Sequence, residues 1–195
     1  MKRLLILLLT LTMLLPAALA EAPAAATISM PESGITFDVP ADWYYAVAGQ
    51  SEGSSLANLF GLPGTFLDIY LTQNSYNFYA TLDAMELSRL TLTVAEGTPL
   101  IDMRTDKVDM DALLEGFLTT FTVGTVVDSS VLQTAEGAFA RIHCNAPVEG
   151  GTAELLVYAC NTNATMYIFN FVALPGGEFN EAELDAIINS IDFAD

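Results

Sequence analysis

The sequence predicts an α+β fold, a mostly antiparallel β-sheet packed with helices. Three observations carry that expectation. Short segments alternate apolar and polar residues and are separated by Gly-, Pro- and Asn-bearing turns, the period and punctuation of strands. Two other segments, starting near Asp109 and Asn180, repeat apolar residues at helical spacing. The strands come in runs with the helices set apart from them, which argues for antiparallel neighbours with helices on one face of the sheet.

The chain opens on a secretory signal. Lys2 and Arg3 form a basic start, Leu4 to Leu15 is an apolar core, and Pro16 breaks it. Ala18 and Ala20 then supply the small residues a signal peptidase reads, so cleavage is expected after Ala20. The apolar run has twelve residues, short of the roughly 20 that a spanning helix needs. No later segment is long and apolar enough to span, so no membrane span is expected after cleavage. Residues 21–26, Glu-Ala-Pro-Ala-Ala-Ala, read as a disordered leader, and residues 27–195 as one domain.

Within that domain, Ile28 and Met30 alternate before a Pro31-Glu32-Ser33-Gly34 turn, and Ile35, Phe37 and Val39 alternate after it, a β-hairpin signal. Tyr44 to Ala48 reads as a strand. The Gly- and Ser-rich stretch 49–64 reads as loop, with a short helix near Leu56 to Phe60. Thr65 to Gln73 reads as a helix with Asn74 as its C-cap, and Tyr76 to Leu82 as a strand. Leu90, Leu92 and Val94 alternate with Arg89, Thr91 and Thr93, a half-buried strand. Met110, Leu113, Leu114, Phe117, Leu118 and Phe121 form one helical stripe, with Asp109 as N-cap and Val108 and Leu113 as a staple. Strands follow at Thr125–Leu132, Gly137–Asn145, Thr152–Cys160 and Thr165–Val172, adjacent ones paired antiparallel. If Ala146 to Gly151 is a loop, Cys144 faces Ala153, and Cys160 lies seven residues further along, about 24 Å away. Two free thiols are therefore expected although export permits a disulfide. The last helix is capped by Asn180, stapled by Phe179 and Leu184, and buries Leu184, Ile187, Ile188 and Ile191.

Gly34-Ile35-Thr36-Phe37-Asp38-Val39-Pro40 followed by Trp43, Met166-Tyr167-Ile168-Phe169-Asn170-Phe171, and the closing Ile188-Asn189-Ser190-Ile191-Asp192-Phe193 together resemble the PsbP-like family. That family comprises extrinsic photosystem subunits, bacterial exported relatives and a Ran-binding nuclear factor. The resemblance implies an α/β/α-type sandwich around an antiparallel sheet, in proteins that act by binding. Its motifs are apolar patterns, so it assigns no functional residue.

Charge narrows the partners. After cleavage, four basic residues (Arg89, Arg104, Lys107 and Arg141) stand against 24 acidic ones, a net charge of −20. Such a surface repels phosphate backbones and anionic headgroups, which excludes nucleic acid. Gly49-Gln50-Ser51-Glu52-Gly53 matches a nucleophile elbow, with His143 downstream as base. Too few residues precede Ser51 for that fold, and glycine and serine produce the pattern easily in a loop. His143 is the only histidine, so no zinc constellation forms around it. The acidic stretch Asp102, Asp106, Asp109, Asp111 and Glu115 lacks the loop spacing of a calcium site and suits the start of a helix instead. Asn163-Ala164-Thr165 is a glycosylation sequon in a turn. No catalytic, cofactor or metal residue is assigned. The expectation is a secreted or surface-associated, non-catalytic binding or accessory protein, with a protein or a cell-wall component as partner. A calcium-binding exported protein and an exported serine hydrolase are the alternatives.

Overall fold

The computed structural model describes residues 25–97, 101–105, 109–162, 164–178 and 180–194. The signal, Asp106, Val108, Asn163 and Phe179, and with them the sequon and the two staples, lie outside the described residues. A three-stranded sheet runs β1-β2-β10, from β1 (Ala26–Met30), β2 (Ile35–Val39) and β10 (Asp192–Phe193). A seven-stranded sheet runs β3-β4-β5-β9-β8-β7-β6. Its strands are β3 (Tyr44–Val47), β4 (Phe78–Thr81), β5 (Ser88–Glu96), β6 (Thr125–Thr134), β7 (Gly137–Val148), β8 (Gly151–Thr162) and β9 (Thr165–Ala173). Every pairing in both sheets is antiparallel. The helices are α1 (Ser55–Phe60), α2 (Gly64–Gln73), α3 (Met110–Phe121) and α4 (Glu181–Asn189).

The alternation at the start of the chain forms the expected hairpin. Ile28, Met30, Ile35, Phe37 and Val39 are all buried, and Pro31–Ser33 make a 3-10 turn closed by Gly34 in the left-handed region. That hairpin caps one face of the large sheet, here the front. The Phe37 ring meets Phe78 and Phe169 edge-on, at centroid separations of 5.1 and 5.4 Å. Burying one such ring stabilises by about 1.5–3 kcal/mol, so this contact anchors the small sheet to the large one. Residues too few to show a period make β10, whose Phe193 pairs with Ile35 and stacks on Phe139.

Helices cover both faces rather than one. On the front, α4 lies beside the small sheet with Leu184, Ile187 and Ile188 buried, and Trp43 Nε1 donates to Glu183 at 2.7 Å. On the back, α1 and α2 bury Leu56, Ala57, Leu67 and Leu71 against Ala46 and Tyr79. Helix α3 also lies on the back, over β6 and β7. The sandwich implied by the family resemblance is therefore the one that forms. Sequence alternation marks which residues share a face, but strands buried on both faces read as continuous apolar runs. Ala138 to Ile142 of β7 is buried on both faces in this way, with Arg141 the one charged residue among apolar ones.

The β7–β8 register differs by two residues from expectation. Val148 pairs with Gly151 across a two-residue turn, and Cys144 faces Leu155, not Ala153. Pro147 sits inside the strand opposite Thr152. It is tolerated because β6 pairs with β7 only as far as Asn145, so one side of β7 is open there and needs no donor. Both cysteines are free and buried.

Candidate functional site

The loop from Gly49 to Gly53 is ordered by turn chemistry. Gly49 and Gly53 both take positive φ, 77° and 70°, which only glycine adopts without strain. Ser51 is fully buried, and its hydroxyl donates to Asp68 of α2 at 2.6 Å. The same carboxylate oxygen accepts the backbone N–H groups of Gly49 at 2.9 Å and Ser51 at 3.3 Å. A Cβ on Gly64 would lie 2.4 Å from the Glu52 backbone, so α2 starts as close to the loop as a helix can. The glycine–serine pattern thus ties a loop to a helix.

His143 is on β7, on the front face, with Nδ1 3.6 Å from Glu181 Oε1. The strand leading into Ser51 is β3, five strand spacings from β7, about 24 Å. Ser51 is held to a back-face helix. The two residues expected to form a catalytic pair are therefore at opposite ends and on opposite faces of the sheet.

Around His143 the structure gathers a cluster that sequence reasoning missed. The Arg141 side chain, 10 % exposed, reaches Asp128 at 2.9 Å, hydrogen-bonds Glu181 and lies 3.9 Å from Asp185. Tyr158, opposite Arg141 on β8, donates its hydroxyl to Asp185. Burial works against the Arg141 charge, but Tyr158 and the Asp128 and Glu181 carboxylates outweigh it and hold the guanidinium above its ordinary range. Burial and the Asp185 bond push the Tyr158 phenol up in turn. The alternation of Phe139, Arg141 and His143 was the available signal. It places the basic group on the front face but says nothing of which distant acids meet it.

The acidic stretch does not converge. Asp102 grips Arg104 through both carboxylate oxygens, at 3.0 and 2.9 Å. Asp109 caps α3, accepting from Ala112 N at 3.1 Å, and Asp111 and Glu115 face solvent. Among the described residues no three His, Cys, Asp or Glu side chains are grouped to hold a metal ion. A cleft of about 240 Å³ lies at one end of the sheet, lined by Trp43, Phe171 and Leu184 and by Arg89 together with the acids Asp42, Glu178 and Glu183. Among the described residues no helix is long and apolar enough to cross a membrane.

The solution structure of cyanobacterial PsbP (CyanoP) from Synechocystis superposes on this chain with a TM-score of 0.55, covering 90% of this chain and 95% of that one at 12% identity. The chain has a PsbP-like fold. A crystal structure from Bacteroides thetaiotaomicron shares the architecture at a TM-score of 0.50 and 10% identity, over 87% of this chain but only 48% of that longer one. No family profile and no curated protein matches the sequence. The PsbP-like fold accounts for the small sheet on the front and the helices on both faces, and carries no chemistry with it.

Proposed function

We propose that this is an exported, non-catalytic binding or accessory protein. Residues 1–20 are removed after Ala20, and residues 27–195 act as one binding unit for a protein or a cell-wall component. The observation that carries this reading is the use of the polar groups. Ser51 is committed to Asp68, and Arg141, Tyr158 and His143 sit with carboxylates that fasten α4 to the sheet. The groups that could do chemistry instead hold the fold, and an acidic surface on a PsbP-like sandwich suits recognition.

Two measurements on the full chain in a producing cell test it. Mass spectrometry of the extracytoplasmic fraction is expected to find a mature N-terminus at Glu21. A fluorophosphonate probe is expected to leave Ser51 unlabelled. An intact Met1 on a membrane-bound form overturns the export part. Labelling at Ser51, with hydrolase activity lost in both Ser51→Ala and His143→Ala, overturns the non-catalytic part.

A further inference from the structure

The back face of the large sheet carries helices at its edges, and among the described residues no helix packs over its middle. Helices α1 and α2 pack on β3 and β4, and α3 packs on β6 and β7. Between them, Arg89 and Thr93 of β5, Ile168, Asn170 and Val172 of β9 and Leu155 of β8 are partly exposed on the back face, with Thr91 and Val157 buried among them. Strands β4 and β7 are four spacings apart, about 19 Å. Helices pack about 8–10 Å apart, so the trough has the width of one further helix. Its walls are apolar. On one side is Tyr70, whose ring packs on Tyr79 at 6.1 Å, and on the other are Phe117 and Phe121 of α3, above Met166.

Two groups in the trough are costly to leave without a partner, a charge and a buried amide oxygen. Of the three described basic residues, Arg104 and Arg141 are ion-paired and Arg89 is not, in a chain with 24 acidic residues. Glu86, the carboxylate that shares its neighbourhood around Tyr79, accepts from the Tyr79 hydroxyl. At the α3 end Asn161 is 6% exposed, and its side-chain oxygen has no donor. Arg89 lies opposite Val172 and Asn161 opposite Met166, six residues along β9 and two strands across. That separation is about 22 Å, or roughly four helical turns.

We infer that this trough docks one amphipathic helix of a partner protein. The apolar stripe of that helix carries an acidic side chain that meets Arg89 and, about four turns away, a hydrogen-bond donor that meets Asn161. The inference deepens the binding reading above and rests on it. A second copy of the chain is a poor occupant, because two bodies that each carry 24 acidic residues against four basic ones repel.

The test is photo-crosslinking of the full chain in producing cells, with a benzophenone amino acid at Thr93, at Ile168 and, as control, at Thr27 on the outer strand of the front sheet. Adducts are expected at Thr93 and Ile168. The crosslinked peptide should show apolar residues at helical spacing with an Asp or Glu on the same face. Arg89→Glu should cut adduct yield at least tenfold, and Arg89→Lys should retain it, which separates charge recognition from loss of folding. Adducts to a second copy, a lipid or a glycan, or to a peptide without that pattern, overturn the inference, as does indifference to Arg89→Glu. An adduct from Thr27 with none from the trough sinks the trough and leaves the binding reading standing. No adduct from any of the three positions sinks both.

Discussion

Asp68 Oδ1 accepts three hydrogen bonds from one loop, from the Ser51 hydroxyl at 2.6 Å and from the N–H groups of Gly49 and Ser51. One carboxylate on α2 thus fixes the path of the chain between β3 and α1. Removing it strands donors around a fully buried serine, which costs more than the net worth of the bonds themselves. Asp68→Ala should therefore destabilise the protein by about 2–3 kcal/mol, and Asp68→Asn, which keeps an acceptor but loses its charge, by about 1 kcal/mol. Urea unfolding of the two variants checks both the size and the order. Equal effects would mean that the carboxylate is not the acceptor that holds the loop.

The Arg141 cluster joins β6, β7 and α4. Its acids are substantially exposed, Asp128 at 54% and Glu181 at 49%, which weakens each pair by solvent screening, whereas the guanidinium itself is nearly buried. Arg141→Met should cost about 2 kcal/mol, less than the 3–5 kcal/mol of a fully buried pair, because the acids left behind can hydrate. A double-mutant cycle with Glu181→Gln should return a coupling of about 1 kcal/mol. A coupling near zero would mean that the contact with α4 is held by its apolar stripe alone.

How much of this was legible depends on the range of the signal. Alternation at Ile35, Phe37 and Val39 and the stripe of Leu184, Ile187 and Ile188 gave their elements directly, because period reports which side chains share a face. The Arg141 cluster could not be read in the same way. Its members, residues 128, 141, 158, 181 and 185, meet only through strand register and the placement of α4. The G-x-S-x-G match misled for a related reason: glycines that serve positive φ look the same in sequence as glycines that frame a nucleophile. The β7–β8 register slipped by two because Pro147 reads as a turn residue, and its tolerance depends on β6 ending early.

Helix α3 begins at Asp109, whose carboxylate accepts from Ala112 N at 3.1 Å. Loss of such a cap costs about 0.5–2 kcal/mol. Asp109→Ala should lower stability by that amount with and without added calcium. Thermal melts in calcium and in chelator decide the point, and a loss confined to the calcium sample would restore a metal role for this stretch.

The cysteines give a test in alkali. Cys144 belongs to the back face and faces Leu155, whereas Cys160 is on the front face, opposite Tyr167, five residues further along β8 than Leu155. That is about 17 Å along the strand, well beyond the 7 Å a disulfide allows. Denatured, unreduced protein should therefore titrate two thiols. Burial, and secondarily the nearby Asp102 carboxylate, push the Cys160 thiol up to about 12. Because the folded value lies above the unfolded one near 9, the folded state holds its proton where the unfolded state has lost it. The resulting stability is complete below about pH 9 and falls as pH rises toward 12. At pH 10.5 the loss attributable to this thiol is about 2 kcal/mol. Tyr79 and Tyr158, both raised chiefly by burial, add losses of the same sign. Cys160→Ala removes only the thiol contribution. Its stability should drop between pH 7.5 and pH 10.5 by about 2 kcal/mol less than that of the unaltered protein. Equal drops in the two proteins would show that Cys160 is solvated, and the packing of β8 against the front sheet would need revision.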